Sequence, residues 1–218
     1  MRYIAAVLLA CLAPHPLAAH PHVFVDTALR AIFDADGKLT HLDITWRYDE
    51  FYSLLVTEDM GLDDDYDGEL TEAEIARLKG FDMQWIEGFN GDLEVSQSGQ
   101  VLPLSGPTDF TAGFDDGRIT TTHRRAVLKP VDGRTAPIII KPFDATYYTA
   151  YEITSKVVVE GAEGCRARVR MPDMTADLSA LQEELAELDV NTDPEDVGLP
   201  NLGAALAAEA IVTCAASG

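Results

Sequence analysis

Two strictly alternating runs meet at a turn, and no other feature of the 218-residue chain constrains its fold as much. In HVFVDTALRAIF, residues Val23, Val25, Thr27, Leu29, Ala31 and Phe33 share one face. In KLTHLDITWRY, residues Leu42, Ile44, Trp46 and Tyr48 do the same. DADG (Asp34–Gly37) lies between them. A period of two places every second side chain on one side of a strand, and a glycine-containing turn joins such strands into a hairpin. From Asp92 onward the pattern returns in LEVSQSGQVLPL, TDFTAGF, RITTTHRRAVLKP, APIIIKPF, KVVVEG and CRARVRM, punctuated by SG, DDG, VDG and GAEG. Two helical spacings follow, Leu178, Leu181, Leu185 and Leu188, then a short alanine-rich stretch from Leu202 that leads into AIVTC. The expectation is an α+β fold: an antiparallel, sandwich-like β domain with C-terminal helices.

The early part breaks this rhythm. In DEFYSLLVTEDMGL, residues Phe51, Leu54 and Leu55 have helical spacing, with Asp49 and Glu50 at the expected helix start. In TEAEIARLKGFDMQWI, residues Ile75, Leu78, Phe81 and Trp85 form a second helical stripe that Gly80 weakens. Between them LDDDYDGELTEAE sets Asp63, Asp65 and Asp67 in alternation before Gly68, with Glu74 closing the count. This is D-x-D-x-D-G-x5-E, the EF-hand calcium-loop pattern. Calcium takes six to eight oxygens at about 2.3–2.6 Å. The three aspartates would supply positions 1, 3 and 5, Glu69 a backbone carbonyl, Thr71 a water-mediated contact, and Glu74 two oxygens. The bland alternative is a turn followed by a Thr71-x-x-Glu74 capping box. The sequence is expected to form one β-rich domain over 20–218, with a helix–loop–helix insert at about 50–87 and a structural rather than regulatory calcium.

The first nineteen residues, MRYIAAVLLACLAPHPLAA, have one cation, Arg2, an apolar run from Ile4 to Ala13, and small residues ending at Ala19. That is a signal-peptide pattern, too short to span a membrane, and it predicts an exported, periplasmic protein without direct membrane insertion after processing. Lipidation at Cys11 is the alternative. Removal of the segment leaves Cys165 and Cys214, expected as one disulfide in an oxidising compartment. The net charge of −21 argues against nucleic acid and anionic lipid and favours cations as partners.

Cleavage after Ala19 leaves HPHVFVD at the start. His20 and His22 leave an extended segment on the same side, and the hairpin register brings Asp49 near His22, with Asp26 and Asp43 on the same polar face. Imidazole with carboxylate suits zinc, nickel or copper. His41 and His123 read as surface strand residues. No G-x-S-x-G, H-E-x-x-H or Ser/His/Asp grouping is visible, so the chain is not expected to be an enzyme; an N-terminal-histidine copper enzyme is the last of the alternatives.

HPHVFVD, ITWRYDEFYS, LDDDYDGELTEAE, GFDMQWIEGF, DATYYTAY and CRARVRMPD together resemble a bacterial periplasmic family of unknown function, labelled a periplasmic component of an uncharacterised ABC-type transport system. The resemblance implies an accessory to a membrane transporter of divalent metals, nickel/cobalt or zinc. It makes His20, His22, Asp144 and Tyr147 candidate functional positions. A calcium-stapled interaction module without a transition-metal role is the competing expectation.

Overall fold

The computed structural model describes residues 21–186 and 202–215. The signal-peptide reading, His20 and Leu188 lie outside these residues.

The hairpin forms as its alternation requires. Strands β1 (Val23–Phe33) and β2 (Lys38–Tyr48) pair antiparallel, with Val25 opposite Tyr48 and Leu29 opposite Ile44. The odd residues of β1 and the even residues of β2 from Leu42 to Tyr48 are buried. After β2 come helix α1 (Glu50–Asp59), the acidic loop, and helix α2 (Glu72–Leu78). Strands β3 (Leu93–Gln97), β4 (Gln100–Val101), β5 (Thr108–Asp115), β6 (Arg118–Asp132) and β7 (Ile138–Pro142) follow. Then β8 (Thr149–Ile153), β9 (Val158–Glu160), β10 (Cys165–Arg170), α3 (Ala176–Ala186), α4 (Leu202–Leu206) and β11 (Glu209–Cys214) follow among the described residues.

The strands make two sheets. One has the order β5-β6-β2-β1-β8, with β9 also pairing β1; the other runs β10-β11-β7-β3-β4. Pairing is antiparallel except where β8 and β9 lie parallel to β1. The fold is thus α+β with a sandwich of two antiparallel-dominated sheets. Strand β8 was not foreseen from DATYYTAY, because its five residues carry no clean alternation; pairing with β1 specifies it.

One core joins the sheets. Leu29, Ala31, Leu42 and Ile44 of the first sheet meet Val95, Ile138, Ile140 and Val212 of the second. All eight are at most 2% exposed, and each of the leucine, isoleucine and valine side chains contributes about 1.5–3 kcal/mol on burial. Cys165 and Cys214 are directly opposed on β10 and β11 and form the disulfide. The bridge spans 49 residues, so it removes about 4 kcal/mol of loop entropy from the unfolded chain.

The helices depart from the expectation in two ways. Helix α1 turns its small polar face inward: Ser53 and Thr57 are buried, while Phe51, Leu54 and Leu55 are 66%, 54% and 48% exposed. Asp49 caps this helix by accepting from the Tyr52 amide at 2.8 Å, and its other oxygen accepts from the Phe24 amide at 2.8 Å. The Ser53 hydroxyl accepts from the Ile119 amide at 2.9 Å, which docks α1 on the start of β6. Helix α2 stops at Leu78, so the stripe continuing to Phe81 and Trp85 is not one helix. Gly80 has φ +82, and a Cβ there would lie 2.9 Å from Phe110, so the chain turns at a position only glycine suits.

Candidate metal centre and the buried polar face

The acidic loop sits between α1 and α2, and its residues fold it by local hydrogen bonds. Asp63 accepts from the Asp67 amide at 3.0 Å and from the Gly68 amide at 3.2 Å. Asp67 accepts from the Glu69 amide at 2.8 Å. Gly68, at φ +78, supplies the left-handed turn that position 6 of such a loop requires. Arg77 donates to the carbonyls of Gly61 and Met60, and so ties α2 to the end of α1.

Asp63, Asp65 and Asp67 come together in this loop. One carboxylate oxygen from each lies within 4.8 Å of the others. Oxygens bound to one calcium at about 2.3–2.6 Å cannot lie more than about 5 Å apart, so the grouping has the span of one ion. Glu74 closes the loop from the far side. Its Oε1 accepts from the Asp63 amide at 2.9 Å, and its Oε2 accepts from the Thr71 amide at 2.8 Å and the Thr71 hydroxyl at 2.7 Å. These bonds from Thr71 and then Asp63 hold the Glu74 carboxyl below its ordinary range. The capping box is therefore present together with the aspartate grouping. A carboxylate oxygen has two acceptor sites, so Glu74 Oε1, with one amide, keeps a site for an ion, whereas Oε2 has both filled by Thr71. The two ligating oxygens expected of Glu74 are therefore not both open, and it is not among the three carboxylates that share an ion's span. Glu69 and Thr71 stand on the same loop, at its exposed rim.

The histidine positions behave differently. The hairpin register sets Asp49 opposite Phe24 rather than His22, although His22 and Asp49 both line a groove of about 500 Å³. Each Asp49 oxygen accepts one amide, in capping and in holding Phe24, and His22 and Asp49 belong to no set of three potential ligands close enough to share an ion among the described residues. The His22 ring packs on Tyr148, with ring centres 4.7 Å apart. Asp26 pairs with Arg118 at 2.9 Å, and Asp43 takes both arms of Arg124 at 2.6 and 2.9 Å. The last pairing holds the Asp43 carboxyl below its ordinary range. Among the described residues, Asp63, Asp65 and Asp67 are the one set of three carboxylate, imidazole or thiol side chains close enough to share an ion.

Asp144 and Tyr147 line a separate cleft of about 580 Å³ between β8, the chain after β10, and α4. Asp144 builds the turn beneath it. Its Oδ1 accepts from the amide and the hydroxyl of Thr146, both at 2.9 Å, and its Oδ2 accepts from the Thr149 amide at 3.0 Å. Gly203 lies so close that any Cβ would be 1.6 Å from the Asp144 carbonyl. Tyr147, at φ +58, has its hydroxyl pKa raised by burial and by Glu152.

Sequence reasoning missed a buried polar face. His123 is not a surface residue: it is 2% exposed, whereas His41 is half-buried. On β6 the inward positions run Ile119, Thr121, His123, Arg125 and Val127, apolar at both ends and polar between. That shared parity was the available signal. Residues 79–92 close over this stretch. Asp82 accepts from the Tyr48 hydroxyl at 2.8 Å and the Thr121 hydroxyl at 2.7 Å. Burial pushes the Asp82 carboxyl up. Trp85 lies edge-on to His123 at 5.7 Å and beneath the Arg125 guanidinium at 4.7 Å. Burial lowers Arg125 to about 10. Burial, aided by Arg125, lowers His123 to about 4, so the imidazole is neutral near neutral pH. On the opposite flank Tyr151 donates to Asp92 at 2.8 Å, and burial raises Asp92 to about 6.

No helix among the described residues is long and apolar enough to cross a membrane. Comparison with curated proteins returns no match. The family described as "Protein of unknown function (DUF1007)" matches residues 5–214, nearly the whole chain. The chain belongs to the DUF1007 family.

Proposed function

We propose that this is an exported, non-enzymatic protein that binds divalent cations, with calcium held in the Asp63–Glu74 loop as a structural clip. The observation that carries the reading is the approach of the Asp63, Asp65 and Asp67 carboxylates to within 4.8 Å. Three like charges so close repel one another in a chain already at −21, and a divalent cation among them reverses that cost. Oxygen donors without nitrogen or sulfur favour calcium over zinc, nickel or copper. The loop joins α1 to α2, so an ion there fixes how residues 79–92 enter the sandwich.

The wider role proposed is that of an accessory to a membrane divalent-metal transporter in the periplasm. What supports it is the resemblance carried by the HPHVFVD start and the segments that accompany it. In that role His20 and His22, with Asp49 beside them, would meet the transported zinc, nickel or copper.

Thermal unfolding with calcium or with a chelator tests the clip. With a dissociation constant of about 10⁻⁴ M, calcium at about a hundred times that level stabilises by about 2.7 kcal/mol. The gain is expected to vanish in Asp63→Ala and Glu74→Gln. A wild-type melting temperature that does not respond to calcium would remove the reading. Nickel and zinc titrations of wild type and His20→Ala/His22→Ala test the transporter arm separately.

A further inference from the structure

We propose that the groove between β1 and α1 docks a partner protein through a segment that presents a lysine or arginine beside apolar side chains. The proposal does not depend on calcium in the Asp63–Glu74 loop, and it competes with a transported metal at His22 and Asp49 for the same groove. Phe24 leaves the outer face of β1 at 48% exposure, and Phe51 leaves the first turn of α1 at 66%. The two line one groove of about 500 Å³. Leu54 and Leu55, three and four residues beyond Phe51, extend the same apolar face along the helix. Single exposed apolar residues are ordinary on a soluble protein, but four that adjoin, two of them aromatic, have the composition of an interface core.

Charge selects the occupant. The groove is also lined by His22, whose ring packs on Tyr148, and by Asp26, Asp49, Glu50 and Arg118. Asp26 and Arg118 neutralise each other at 2.9 Å. Asp49 and Glu50 remain, and no cation is paired with either among the described residues, so the groove is net negative beside two phenyl faces. A cationic side chain gains there both from the carboxylates and from the aromatic rings. A second copy of this chain is disfavoured, because a symmetric contact would set acidic rim against acidic rim at −21 each. Anionic lipid is disfavoured for the same reason.

The groove is also rigid. The Asp49 amide donates to the Phe24 carbonyl at 2.9 Å, and the Asp49 carboxylate accepts from the Phe24 amide at 2.8 Å. The helix start and the strand start are thereby locked as one body, which reduces the ordering cost of binding.

The probe is a synthetic helical peptide with leucines on one face and lysines on the other, followed by fluorescence anisotropy. Binding is expected to weaken about tenfold or more in Phe51→Ser/Leu54→Ser and in Phe24→Ser, which lies on a different element. Glu50→Gln is expected to weaken it less and to flatten its salt dependence. A leucine/glutamate peptide should not bind. All these positions are exposed, so unchanged melting temperatures will show that the variants fold. Equal binding by wild type and the serine variants would mean general attraction to an acidic protein and would overturn the proposal. Self-association abolished by Phe51→Ser/Leu54→Ser, or capture by anionic vesicles, would overturn it in favour of another occupant.

Discussion

Asp92 and His123 place two opposed titrations inside one sandwich, and Asp92→Asn should separate them. The Asp92 carboxyl is raised from 3.8 to about 6 by burial, with Asp144 adding to the rise against the Tyr151 hydrogen bond. Between those values the folded state holds a proton that the unfolded chain has released. Stability therefore falls as pH rises through this window, by about 3 kcal/mol at 1.36 kcal/mol per pH unit. His123 runs the other way. Its value falls from 6.5 to about 4, so the unfolded chain takes up a proton that the folded state refuses, and stability is lost as pH drops from 6.5 towards 4. That loss is also about 3 kcal/mol. From about pH 4 to 6 the two slopes nearly cancel in the wild type. Asp92→Asn removes the first and keeps an acceptor for the Tyr151 hydroxyl. The variant should be up to about 3 kcal/mol more stable than wild type at pH 7, equal to it near pH 4, and steeply acid-sensitive between. Urea unfolding followed by tryptophan fluorescence across that range measures the difference, and surface carboxyls common to both proteins cancel from it. A difference between variant and wild type that does not change with pH would refute the reasoning.

Two further measurements bear on stability. Cys165→Ser/Cys214→Ser should lose about 4 kcal/mol in urea unfolding, and reductant should bring the wild type to the same midpoint. Asp82→Ala should cost about 2–4 kcal/mol, because the Tyr48 and Thr121 hydroxyls are left buried without an acceptor; Asp82→Asn, which keeps one, should lose less than half as much in the same assay.

The legible parts of this chain are those whose pattern is set by local geometry. Strand alternation gave the hairpin with its register, because each odd residue of β1 had one apolar destination. The turns of the loop were legible for a local reason too: Gly68 takes the left-handed conformation, and Asp63 and Glu74 accept amides that the spacing brings within reach. His123 was not legible. A strand residue between two threonines and two arginines reads as solvent-facing until residues 79–92 close over it. That closure depends on Asp82 finding Tyr48 and Thr121, which are 34 and 39 positions away in sequence. Strand β8 likewise exists because β1 offers it a free edge, not because its five residues demand it.

The rotation of α1 shows how a correct helix can be given the wrong inner face. Phe51, Leu54 and Leu55 have the spacing of a buried stripe, yet Asp49, Ser53 and Thr57 are spaced by four and also share one face. Two hydrogen bonds to the first sheet decide between them, from the Phe24 amide to Asp49 and from the Ile119 amide to Ser53. Both amides would otherwise be left without an acceptor where α1 lies against the sheet, at about 1–3 kcal/mol each. Serine and threonine also let the helix backbone come close to the sheet, with the Thr57 hydroxyl satisfied within the helix by the Leu54 carbonyl at 2.9 Å. Turning the helix over would bury three large apolar side chains, at about 1.5–3 kcal/mol each, but would break both anchors and push the helix away from the strands it caps. Those three side chains are already between a third and a half covered, so only about half of that gain remains and it is comparable with the two anchors; a chain that keeps the polar anchors inside therefore carries an exposed apolar face at nearly constant stability. A free interaction surface is what such a compromise leaves available.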